Sequence, residues 1–268
     1  MGLDHASLSD AELTGLARVC RRDPADLAAE LHRRPWAIHD ILAAPAVVEE
    51  VLDPDDLIEA VSPFVLFAVV ARRAADDLVD QAYVNDWVGP RERLPVFDVE
   101  PLREFATAPG RLIFVARLLA SMVVPTCAVV PVATTDPWEL IAWLDAVEEV
   151  DRVTVLRRLG DTALFLAGVH ADAVGDAALS ANQVERIAVS LGLTPEAVVE
   201  QFELDAAASG PEVLERVGAG WYRESRRLEP TTPPVVGDIA QRIGSARRFL
   251  THLSDNYFPS GDLTVGIA

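Results

Sequence analysis

Apolar residues recur along this chain every three or four positions, the spacing that lines one side of an α-helix. In "LSDAELTGLARVC" Ser9 precedes Glu12 by three residues, so each side chain is set to accept the other's exposed backbone N–H, and a helix is expected to start there. "DPADLAAELHRR" predicts a second helix, with Asp23 as cap and Pro24 in the first turn, where a missing N–H costs little. The same Asp-Pro opening returns at Asp53-Pro54 and Asp136-Pro137. The run from Asp53 to Val79 is expected to form one helix that becomes buried around Phe64 to Val70, and residues 111–123 another.

Two late helices carry the clearest periodicity. Leu214, Val217, Trp221 and Leu228 form one stripe, opened by Pro211 and closed by Pro230, Pro233 and Pro234. Ile239, Ile243, Ala246, Leu250, Leu253 and Tyr257 alternate steps of four and three, which predicts a single final helix with a coiled-coil-like seam that could join two copies of the chain. Strand signals are confined to "RLPVF", within the break "YVNDWVGPRERLPVFDVEP" that spans residues 83–101.

These elements predict an all-α fold, a multi-helix bundle of two closely packed helical lobes joined by a proline-containing apolar connector. The first lobe covers residues 1–123 and includes an irregular loop over 83–101. The connector covers 124–137, the second lobe 138–258 and a tail 259–268. The connector lacks charge before Asp136, whereas a flexible linker would be polar, so it is expected to lie on apolar surface.

Composition narrows the function classes. Half of the 268 residues are apolar, enough for a sizeable core, and the formal net charge is -19. All 23 basic residues are arginine and lysine is absent. Adaptation to a salty cytosol and a GC-rich genome both produce that pattern. Either way, the charge repels nucleic acid and anionic membrane surfaces. Cys20 and Cys127 are too far apart for a Cys-x-x-Cys motif, and no disulfide framework is expected. No signal peptide is expected from residues 1–15, and Ser7 falls one place beyond the myristoylation pattern that Met1-Gly2 would open. Residues 118–135 are uncharged over the length of a membrane span, but Pro125 and Pro131 interrupt them, so a helix end and an extended connector are expected instead. The expected location is cytoplasmic, away from membranes.

The candidate chemistry centres on two stretches. In "LRRLGDTALFLAGVH" Asp161 and His170 are nine residues apart, which on a continuous helix puts them on opposite sides and roughly 13 Å apart along the axis. They cannot serve one substrate. Asp161 shares a side with Arg157 and Arg158, and it is expected either to cap a helix restarting after Gly160 or to pair with an arginine; a functional carboxylate, with Arg157 beside it, is the sharper alternative. The break at 83–97 gathers Tyr83, Asn85, Asp86, Trp87, Arg91 and Arg93 in non-helical chain, a composition suited to recognition. The competing reading has Trp87 and Phe97 anchoring a loop across the core.

Other patterns are weaker. His32 and His39 flank Pro35, and no Glu-x-x-His or His-x-x-x-His occurs, so no metal and no cofactor are expected. There is no Gly-x-Ser-x-Gly and no P-loop. Gly218 and Gly220 in "VGAGWYR" lie within a helical stripe and are expected to admit a neighbouring helix. "IAVSLGLTPEAVVEQF" has the spacing of a helix-turn-helix, with Ala188, Gly192 and Val198 at the key positions and Thr194-Pro195 opening the second helix; "LAAELHRRPWAIHDIL" echoes it without the turn glycine. Over 181–205, however, five carboxylates (Glu185, Glu196, Glu200, Glu203 and Asp205) face one cation, Arg186. DNA contacts call for the opposite charge. The leading expectation is thus a non-catalytic protein acting through protein contacts. The alternatives are a DNA-binding regulator using 181–205, and an enzyme or small-molecule binder with a pocket between the lobes.

Overall fold

The computed structural model describes residues 8–52, 62–87, 93–123, 136–144, 146–171, 174, 179–204 and 210–258. Among them are fourteen helices and one two-stranded antiparallel sheet, so the fold is all-α. The connector residues 124–135, the Asp53-Pro54 start, Arg91, Cys127, Asp205 and the tail 259–268 lie outside the described residues.

The chain divides into two compact units, Met1–Gln81 with Arg103–Val124, and Ala82–Leu102 with Pro125–Ala268. The break at 83–101, which the sequence reading assigns to the N-terminal lobe, groups with the second unit. The contacts responsible are described below.

In the first unit, α1 (Asp10–Val19) starts at the Ser9–Glu12 box: Ser9 Oγ accepts the Glu12 N–H at 3.2 Å and the Ser9 N–H donates to Glu12 Oε2 at 2.7 Å. Glu12 also receives two hydrogen bonds from the Arg117 guanidinium, at 2.8 and 2.9 Å. Burial works to raise its carboxyl pKa, but Arg117 and the Ser9 N–H outweigh burial and hold it below the ordinary value. Helix α2 (Pro24–Arg33) opens as expected, with Asp23 accepting from Ala25 and Asp26. Pro35 ends that helix, so His32 and His39 sit on separate elements, His39 on α3 (Ala37–Leu42), which is followed by α4 (Pro45–Leu52).

The core of this unit is α5 (Pro63–Asp77) packed along α7 (Pro109–Val123), with Val65, Val69, Ala71, Val115 and Ala116 fully buried. The single helix expected from Asp53 is described only from Ser62, and the proline at the first position of α5 marks a start of its own. Arg103 on α6 (Glu100–Ala106) donates to the carbonyls of Leu78 at 3.1 Å and Gln81 at 2.8 Å, satisfying acceptors that the end of α5 leaves open. No single helix among the described residues is long and apolar enough to cross a membrane; α6 and α7 pass such a test only together, and they meet at 84°.

One titrating contact in this unit gives a testable pH dependence. Arg72 Nη1 lies 3.1 Å from His39 Nδ1, and because arginine only donates, His39 must be neutral and accept there. Burial first, then the Arg72 charge, lower the His39 pKa, while Asp40 and Asp76 oppose them. A lowered folded pKa means the unfolded chain takes up its proton first. The His39 contribution is therefore complete above the ordinary histidine pKa and lost as pH falls below it. Urea midpoints of the wild type should fall between about pH 7 and 5 more steeply than those of His39→Gln, which accepts from Arg72 without titrating.

The second unit is organised around α9 (Glu149–Val169), a helix of 21 residues that runs without a break through Gly160. It packs on α8 (Pro137–Trp143), α12 (Gly210–Leu228) and α14 (Ile243–Tyr257). Close approach requires glycine at two places on α9. A Cβ on Gly160 would lie 2.7 Å from the Tyr222 ring, and one on Gly168 would lie 2.6 Å from Leu250 Cβ. Gly218 and Gly220 act as expected: a Cβ on the first would meet Ala163 at 3.1 Å, and on the second the Phe202 ring at 2.7 Å.

The final seam differs from the expectation. At Arg242 (φ -119°, ψ 29°) the helix breaks into α13 (Pro234–Gln241) and α14. Ile239, Ala246, Leu250 and Leu253 are fully buried inside this unit. Four of the six seam residues are thus core of this unit, while Ile243 and Tyr257 are half-buried.

Candidate functional site

Within the break at 83–101 the described residues include two paired antiparallel strands, the arms of a β-hairpin, where the sequence predicts an irregular loop. β1 (Val84–Trp87) pairs with β2 (Arg93–Val96) in the register Val84↔Val96, Asn85↔Pro95, Asp86↔Leu94 and Trp87↔Arg93. "RLPVF" supplies the second strand. Pro95 is tolerated because a two-stranded sheet is all edge.

Alternation along β1 turns Val84 and Asp86 inward and Asn85 outward. Asp86 is buried at 7% exposure and held by two arginines of α14. Arg247 grips both carboxylate oxygens, at 2.7 and 3.0 Å, and Arg248 Nε lies 3.2 Å from Oδ2. Arg247 also donates from Nε to Glu215 of α12 at 2.6 Å. Burial works against the Arg247 charge, but Asp86 and Glu215 outweigh it and hold the guanidinium more firmly protonated. Arg248 Nη2 donates to the Asp98 carbonyl at 3.1 Å, fixing the exit of β2. One cluster thus joins the hairpin to α12 and α14, which is why residues 82–102 belong with the second unit.

The outward side of the hairpin is different in kind. Arg93 stacks on Trp87, its guanidinium carbon 4.3 Å from the ring centroid, and forms an ion pair with Asp255 of α14. Tyr83 and Phe97 continue the register by one residue at each strand's outer end, with ring centroids 5.8 Å apart and planes tilted by 53°. They are 48% and 72% exposed, so Phe97 does not anchor a loop on the core. Asn85 and Pro95 lie exposed between the two aromatic ends.

Asp161 and Arg157 belong to a separate arrangement. Because α9 is continuous, Asp161 caps no restarting helix; its carboxylate accepts a 2.7 Å hydrogen bond from the Tyr222 hydroxyl of α12. Tyr222 is fully buried. Burial raises the Asp161 pKa, against the charges of Arg157 and Arg158 and the Tyr222 hydrogen bond. Burial and the adjacent carboxylate push the Tyr222 pKa well above its ordinary value, so the phenol keeps its proton and donates it. His170 sits at the far end of α9 with its ring edge-on to Phe165, 5.1 Å between centroids. Asp161 is therefore held by Tyr222, and Asp86 by Arg247 and Arg248. Among the described residues no three His, Cys, Asp or Glu side chains are grouped to hold a metal ion.

The helix-turn-helix spacing corresponds to a real hairpin. Helix α10 (Ala181–Leu191) ends at Gly192 (φ 65°, ψ 33°), and α11 (Pro195–Gln201) begins with Thr194 Oγ1 accepting the Ala197 N–H at 3.2 Å. Ala188 and Val198 are buried. Arginines from the neighbouring helices serve the open carbonyls of both: Arg152 donates to Ser190 O at 3.2 Å, and Arg216 to Glu203 O at 2.7 Å. The outward positions of α11 are Glu196, Val199, Glu200 and Gln201.

Sequence reasoning picked out Asp86, Trp87, Arg93 and Asp161 but missed their partners Arg247, Arg248, Glu215, Asp255 and Tyr222. The one local signal was the adjacent Arg247-Arg248 pair on an otherwise apolar helix stripe. No protein-family model matches this chain, and no curated protein or solved structure is significantly similar to it.

Proposed function

We propose that the protein works by contact with another protein, without chemistry of its own, and that the outward side of the β1–β2 hairpin is the contact surface. One observation carries this reading: the hairpin's carboxylate is spent on holding it down, while Tyr83 and Phe97 stand exposed on its other side. Exposed aromatics of this kind are the side chains that dominate protein interfaces. The test is a photo-crosslinking residue at Asn85, with one at exposed Arg73 as the control. A covalent adduct to another protein in host-cell extract is expected at position 85 and not at 73. Equal yields at the two positions would sink the reading.

A second reading, a DNA-binding regulator, draws on the α10–α11 geometry. Against it stand the carboxylates of α11, which face the side where phosphate contacts would fall. Fluorescence anisotropy with duplex DNA separates the two. We expect no binding from 50 to 300 mM salt; a regulator would bind at low salt and lose affinity steeply as salt rises.

A further inference from the structure

The outward side of the hairpin also indicates what kind of partner it takes. This inference rests on the contact reading above and adds the chemistry of the contact. We propose that Tyr83 and Phe97 form a clip for an arginine side chain presented by a basic segment of a partner protein.

Two observations and one general preference converge on arginine. The two rings pack against each other at 5.8 Å between centroids with planes tilted at 53°, and both residues stay exposed, at 48% and 72%, within reach of a planar cation. Guanidinium groups stack on such faces better than ammonium groups, being planar and less strongly hydrated. The hairpin already contains one instance, since Arg93 lies 4.3 Å over Trp87 at the opposite end of the same side.

Charge supports the same partner. The chain carries a formal -19 and draws cationic segments from a distance. Locally, the charge of Arg93 is balanced by Asp255, and the exposed carboxylate of Asp98 follows directly after Phe97. Arg248 at the Asp98 carbonyl is matched by the Asp86 carboxylate, and Arg103 at the Gln81 carbonyl is turned to backbone acceptors. A basic segment therefore finds the exposed Asp98 carboxylate beside the clip. An acidic peptide or a nucleic acid would meet repulsion from the whole molecule.

The experiment uses the full chain and two fluorescent twelve-residue peptides that differ only in carrying four arginines or four lysines, read by anisotropy at 150 mM salt. The arginine peptide is expected to bind about tenfold more tightly. The double variant Tyr83→Ala/Phe97→Ala should bring it down to the lysine level, while Tyr83→Phe, which keeps the ring, should preserve the difference. Both changed residues are exposed, so an unaltered circular dichroism spectrum and urea midpoint should verify that the fold is intact. Equal affinity for the two peptides, an arginine preference that survives the double variant, or binding of neither peptide would overturn the proposal. A crosslink at Asn85 without an arginine preference would remove this inference and leave the contact reading standing.

Discussion

Replacing Asp86 with alanine is expected to destabilise the second unit by about 3–5 kcal/mol, the usual cost of removing one partner from a buried ion pair. The reason is what remains behind. Arg247 is 9% exposed and would keep only Glu215 as partner, while Arg248 would lose its nearest carboxylate. Two comparisons identify the cause. Asp86→Leu combined with Arg247→Met removes the two most buried charges together and should recover part of the loss, leaving only the less buried Glu215 and Arg248 without these partners. Arg93→Ala breaks a more exposed pair and should cost under about 1 kcal/mol. Urea unfolding followed by tryptophan emission suits the measurement, since Trp87, Trp138, Trp143 and Trp221 all lie in this unit and only Trp36 lies in the other.

The second large effect is expected at Trp221. Its ring is fully buried against α10, and its Nε1–H donates to Ser190 Oγ at 2.8 Å. Ser190 in turn donates to the Ile187 carbonyl at 2.7 Å, so the indole is tied into the backbone of the first helix of the turn. Trp221→Ala should lower stability by about 3–5 kcal/mol through the cavity it opens. Trp221→Phe fills most of that space but removes the donor, and should cost about 1–2 kcal/mol. A similar loss for both variants would mean that the hydrogen bond, and not the packing, dominates at this position.

Local chemistry was legible in the sequence, and long-range pairing was not. Ser9, Asp23 and Thr194 read as helix caps because capping depends on residues two or three positions away, and each one caps in the structure. Gly192 read as a turn because a left-handed backbone favours glycine. The first strand of the hairpin could not be read. Its inward positions hold Val84 and the charged Asp86, so hydrophobic alternation fails, and the arginine that makes a buried aspartate tolerable lies 161 residues further on. Asp161 poses the same difficulty, with Tyr222 61 residues away. The break at Arg242 is invisible for another reason: the apolar spacing continues across it, and only the backbone changes direction.

What remains of the candidate site is a division of labour within one hairpin. Its inner side is framework, and its outer side, with the Tyr83–Phe97 pair, is where recognition is proposed. Of the residues first weighed for chemistry, Asp86 and Asp161 are tied into the framework, while Asn85, Trp87 and Arg93 lie on the hairpin's outer side.

The measurement closest to that claim is a double-mutant cycle on Asp86 and Arg247 by urea unfolding. If the pair is framework, each single alanine variant is strongly destabilised, the double variant loses far less than the sum, and the coupling reaches about 1.5–3 kcal/mol. Additivity within about 0.5 kcal/mol would show that the two side chains do not hold the hairpin to α14.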